Sequence, residues 1–166
     1  MNQIALLEER VLFSPRLPEE VNSLLQAAVV ANHSDKQRAE ELFKQAQLMD
    51  GTCLQTYFAL YKFYFYQGRL QEAEREVMAG LEAASLQGGF PGDYRRLALE
   101  PGKWDMYASE ITLFYLYTLK ALAFIKLRRQ HDDEAHTILS LLRILDPEDR
   151  SGGSVIMQLA QALNED

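Results

Sequence analysis

Two phrases set 34 residues apart constrain this chain more than any other feature. AEELFKQA at 39–46 and AEREVMAG at 73–80 begin alike and carry their small and apolar residues at matching positions. A period of that length holds two short helices and a turn, so it predicts a stack of helix–turn–helix units. The stretch Leu54–Ser85 shows one unit whole. Its first helix, Leu54 to Gln67, is apolar almost all round, the mark of a helix flanked on several sides. Its second, Leu70 to Ala84, places Leu70, Ala73, Val77, Gly80 and Leu81 on one stripe, with Glu72, Glu74, Arg75 and Glu76 mostly off it. Such a pair cannot bury both faces alone and needs neighbours of similar shape.

Neighbours are present on both sides. Upstream, Pro18 with Glu19 and Glu20 suits a helix start, and the pattern predicts helices over Glu19–Ala31 and Asp35–Met49. Ala27, Ala39 and Ala46 are small enough for close approach, Phe43 supplies the wedge, and Asp50-Gly51 breaks the unit. Downstream, Leu119, Leu122, Ala123, Ala135, Leu139 and Pro147 repeat the pattern, but Ala73 and Ala135 lie 62 residues apart. About 28 residues, Ser85 to Thr112, are therefore inserted. Glycine and proline mark loops there, with a short helix near Asp93–Leu97 and a later part that extends the third unit's first helix backwards. Phe90, Tyr94, Leu97, Leu99, Trp104 and Tyr107 are too many large apolar groups for a solvated linker, so the insertion should be ordered and folded back near the mouth of the groove. A short helix over residues 3–13, with Ile4, Leu7 and Val11 on one side, and a capping helix over Val155–Leu163 complete a single domain of 1–166. Its divisions are 19–50, 54–85, the insertion 86–112, 113–147 and a cap at 153–164.

At this point the chain resembles the tetratricopeptide repeat family. Tyr57, Leu60, Tyr64, Gly68, Ala73 and Leu81 stand where that family usually has an aromatic, a leucine, a tyrosine, the turn glycine, an alanine and an apolar residue. The resemblance implies an all-α fold: a short right-handed helical solenoid of three such units with extra terminal helices. It also implies a concave groove lined by the first helix of each unit. That groove would show Gln55, Phe58, Lys62, Phe65 and Tyr66 from the second unit, and Tyr117, Lys120, Phe124 and Arg128 from the third. Two departures stand out. Tyr61 occupies a position usually small, and Gly80 one usually alanine, so the two are expected to face each other across the helix crossing. Lys126 replaces an aromatic, which points to an exposed or snorkelling lysine.

Aromatic side chains interleaved with isolated cations suit an apolar protein or peptide segment bearing an acidic group. The function implied is non-enzymatic protein binding, as an adaptor or small chaperone. The alternatives are a homodimerising structural module, a groove filled by the chain's own N-terminal helix or insertion, and a small enzyme on a helical scaffold. A similarity to secretion-system chaperones of the same family is weakened by the insertion. The net charge of −7 without a basic run argues against nucleic acid. The longest apolar tract, Ile111–Leu127, is broken by Lys120 and Lys126, so no membrane insertion is expected and the chain reads as cytoplasmic. Cys53 is the single cysteine and suits a small buried apolar role. In QHDDEAH, at 130–136, the histidines are five apart and diverge, and Asp132 or Asp133 is expected as a helix cap. GGFPGDY lacks the Lys and Ser/Thr of a phosphate loop. No cofactor, metal site or catalytic set is expected.

Overall fold

The computed structural model describes residues 17–164, so the expected helix over residues 3–13 lies outside the described residues. Eight helices follow in order: α1 Glu19–Ala31, α2 Lys36–Met49, α3 Leu54–Tyr66, α4 Leu70–Gly88, α5 Tyr94–Leu99, α6 Glu110–Arg128, α7 Asp132–Leu145 and α8 Gly153–Asn164. No strand is present among the described residues. The helices pair as α1/α2, α3/α4 and α6/α7, with α2 against α3, α4 against α6, and α8 against α7 and α6.

Local chemistry sets the boundaries. The Asp35 carboxylate accepts from the Arg38 backbone N–H at 3.0 Å and starts α2. Gly68, at φ 74°, lets the chain reverse after α3, and the amides of Gly68 and Arg69 bond back to Phe65 and Tyr64 at 3.0 Å each. Ser109 and Thr112 form a reciprocal capping box that opens α6. Asp132 and Asp133 are not the caps of α7. His131 holds that position, and the two aspartates with Glu134 sit in the first turn, where the helix dipole favours negative charge. The second helix of the central pair runs a full turn past its expected end, to Gly88, because Ser85 is buried and Gly89, at φ 72°, supplies the stop.

Ala39, Ala46 and Ala73 are fully buried, as small residues at a close helix crossing should be. On α1 the buried alanine is Ala28 rather than Ala27, which is exposed; the helix is turned one residue from the expected phase. Phe43 wedges against Phe63 with ring centroids 5.2 Å apart.

The expected pairing of Tyr61 with Gly80 is not made. A Cβ on Gly80 would stand 3.2 Å from Phe114 Cζ and 3.3 Å from Tyr57 Cβ, so this glycine makes room for α6. Tyr61 is buried on the opposite seam, its hydroxyl 3.4 Å from Thr118 Oγ1. The insertion is ordered, with Phe90, Tyr94, Leu97 and Met106 buried and only Leu99 strongly exposed. Its place differs from expectation. Phe90 stacks edge-on against Tyr115 at 5.2 Å, the Tyr115 hydroxyl donates to the Gly92 carbonyl at 2.7 Å, and α5 lies on α7. These contacts put it on the α6/α7 side, away from the residues expected to line a groove.

One polar arrangement occurs twice. Glu40 on α2 accepts from Arg69 (Nη1 to Oε2 2.8 Å) and from the Tyr64 hydroxyl (3.2 Å), both at the end of α3. Glu74 on α4 faces Lys126 Nζ at 3.1 Å and Arg129 Nη1 at 2.9 Å, both at the end of α6. The two glutamates are 34 residues apart, and Tyr64 and Lys126 are 62 apart, the same offsets as the buried alanines. Hydrogen bonding from Arg69 holds the Glu40 carboxyl below its ordinary range. Burial opposes the Lys126 charge, but its hydrogen bonds to Glu134 and Glu74 outweigh this and raise its pKa. Lys126 is thus neither exposed nor snorkelling; it is an ion-paired clasp between α4, α6 and α7.

Candidate protein-binding face

The face in question lies where α3 meets α6. Both helices are apolar on nearly every side because each is sandwiched: α3 by α2, α4 and α6, and α6 by α3, α4, α7 and α8. Across the seam Phe65 packs on Phe124 with centroids 5.3 Å apart, and the Arg128 guanidinium lies 5.6 Å from the Phe65 ring. Within α3, Lys62 Nζ sits 4.5 Å over the Phe58 ring and Phe65 meets Tyr66 edge-on at 5.9 Å. Within α6, Lys120 Nζ lies 5.0 Å from the Tyr117 ring. Residues from two segments more than 50 positions apart in sequence therefore converge at the Phe65–Phe124–Arg128 contact.

Accessibility divides the set. Phe58, Phe65 and Phe124 are 4% exposed or less, and Lys120 is 3% exposed. Lys62 and Tyr117 are half-buried, while Tyr66, at 38%, and Arg128 are exposed. The floor of the face is buried and its rim is reachable, so the nine side chains do not form one open patch.

The 62-residue offset reveals a pattern that sequence reasoning missed. Counted by that offset, Gln55, Phe58, Lys62 and Tyr66 on α3 correspond to Tyr117, Lys120, Phe124 and Arg128 on α6. Aromatic and cation exchange places at two consecutive positions: Phe58 against Lys120, and Lys62 against Phe124. The signal was available, since both helices were mapped, but it appears only when the inserted residues are removed from the count. Neither α3 nor α6 beyond Glu110 contains an acidic residue, in a chain of net charge −7. The seam is a locally basic, aromatic strip on an acidic protein.

Other surfaces offer less chemistry. The outer side of α4 exposes Met78 and Leu86 beside an open cleft of about 730 Å³ bordered by Asp93, Tyr94 and Arg95. No group of three or more His, Cys, Asp or Glu side chains converges as a metal site among the described residues. Cys53 is buried at the start of α3. No helix among the described residues is long and apolar enough to cross a membrane. Comparison with protein-family models, with curated proteins and with solved structures gave no match.

Proposed function

We propose that this chain is a short helical-repeat scaffold of the tetratricopeptide kind that binds a segment of another protein along the α3/α6 seam. Support for the repeat reading comes from the recurring glutamate clasp, which joins the second helix of one unit to the first helix of the next at the family's 34-residue spacing. The observation that carries the binding reading is the meeting of Phe65, Phe124 and Arg128, with Lys62 and Tyr66 alongside. Aromatic groups beside forked cations recognise an apolar segment that ends in or carries a carboxylate. Protein binding of this kind is non-enzymatic, and it needs no cofactor.

The test is a fluorescence-anisotropy titration with short apolar peptides, each made with and without a carboxylate, against the wild-type chain, Tyr66→Ala and Arg128→Glu. Arg75→Ala is the control because Arg75 is exposed on α4; Glu74 is unsuitable because it is a clasp residue. Both rim variants should weaken binding of the carboxylate peptide, by about tenfold or more for a true anchor. Added salt should erode the Arg128 contribution first. Equal binding by all four proteins would remove the seam as the site.

A second reading has one observation in its favour. The burial of Phe58, Phe65, Lys120 and Phe124 suits a face already occupied, by part of this chain or by a second copy.

A further inference from the structure

Resting on the seam as a binding face, we infer that its resident occupant is this chain's own segment 1–16, MNQIALLEERVLFSPR, which a partner must displace. The inference starts from the charge of the seam. Lys120 is 3% exposed, and a buried ammonium is stable only when paired with an anion and hydrogen-bonded. Lys62 and Arg128 add two more cations to the same strip, and α3 and α6 supply no carboxylate beyond Glu110 at the start of α6.

Residues 1–16 offer the complementary chemistry. Ile4, Leu7 and Val11 recur at the spacing of one apolar face, Glu8 and Glu9 stand between them, and Leu6 and Phe13 add further apolar surface. This is an apolar segment carrying acidic groups, the class of ligand the seam is built to accept. The segment is joined directly to Leu17, two residues before α1, so its local concentration is set by a tether rather than by the solution. Sixteen residues reach roughly 50 Å when extended and about 24 Å as a helix, enough to lie along a 19-residue helix such as α6. An occupant of the same chemistry as the partner makes the scaffold self-limiting: the partner binds only by replacing Glu8 and Glu9 at the cations.

The experiment uses the full chain. Carbodiimide coupling joins a carboxylate to a nearby amine with loss of water, and mass spectrometry of the digest identifies the joined residues. A mixture of isotope-labelled and unlabelled chains separates coupling within a chain from coupling between chains. We expect Glu8 or Glu9 joined to Lys62 or Lys120 within one chain, and loss of that product in Glu8→Gln/Glu9→Gln. Glu8→Lys/Glu9→Lys should also bind the carboxylate peptides more tightly than wild type, because the occupant is repelled. Coupling only between chains would replace the inference by an exchanged dimer. Absence of any such product, with unchanged peptide affinity in the Lys variant, would overturn it while leaving the seam as a binding face. Coupling within the chain, with no peptide bound by any variant, would keep the occupant and instead refute the partner-binding reading.

Discussion

Replacing Gly80 is the sharpest test of how α4 meets α6. The position is helical and buried, so alanine would gain about 1 kcal/mol of helix propensity over glycine. Its methyl would have to sit 3.2 Å from Phe114 Cζ and 3.3 Å from Tyr57 Cβ, both closer than ordinary contact. The Phe114 ring is fully buried and Tyr57 Cβ is fixed to the α3 backbone, so each can yield only a few tenths of an ångström. Gly80→Ala should therefore lie within about 1 kcal/mol of wild type. Leucine adds three further carbons at the same spot, where overpacking costs about 1–3 kcal/mol and propensity returns less than 1. A net loss of about 1–2 kcal/mol follows, or roughly 2–8 °C in Tm for a chain of this size. Urea unfolding measures it, with the slope m unchanged between the three proteins. Gly68→Ala is the contrasting control: nothing lies within 4 Å of its Cβ, yet φ is 74°, so its loss of about 1 kcal/mol comes from backbone strain alone. If Gly80→Leu were as stable as wild type, the close α3/α4/α6 approach described above would be wrong.

Further outcomes follow from the same geometry. Glu74→Gln should cost about 1–2 kcal/mol, because it strips Arg129 and Lys126 of a shared, mostly buried carboxylate while Glu134 still holds Lys126; thermal unfolding checks this. Asp146 is buried, which alone would raise its pKa, but bonds from Ser151, Tyr107 and the amide of Arg150 leave it lowered. A folded pKa below the unfolded one means stability that is present above the ordinary aspartate range and lost as pH falls through the lowered value. Acid titration of unfolding should show that loss in the wild type and a shallower one in Asp146→Asn. Phe90→Ala should cost about 3 kcal/mol or more by vacating the site against Tyr115, and should speed amide exchange across 90–97 more than across α3.

What the sequence made legible was what periodicity encodes. The all-helical class, the ends of α1, α3 and α5 to within a residue or two, and the backward extension of α6 follow from apolar spacing and from Pro18, Gly68 and Asp93. Less visible was which buried residue faces which. Tyr61 and Gly80 looked complementary in size, yet they belong to opposite seams, because size matching carries no direction around a helix axis. Lys126 read as solvent-facing for a similar reason. Its partners Glu74 and Glu134 are 52 residues before it and 8 after it, and no local rule links them. At the seam, residue types and helix faces were readable, and the contact of Phe65 with Phe124 bears out their meeting. Burial was not readable, since it depends on everything packed above a side chain and not on the side chain itself.

The recurring clasp gives the stack a polarity. At each seam the carboxylate belongs to the earlier unit and the cation to the later one: Glu40 to Arg69, then Glu74 to Lys126 and Arg129. The mating ends are therefore keyed like plug and socket. Two early ends brought together would oppose cation to cation, and two late ends carboxylate to carboxylate, so reversed docking is resisted at every junction. A further unit copied from 54–85 and spliced in order would present Arg69 to the glutamate before it and Glu74 to the cation after it. The array can in this way be lengthened in one direction without redesigning a seam.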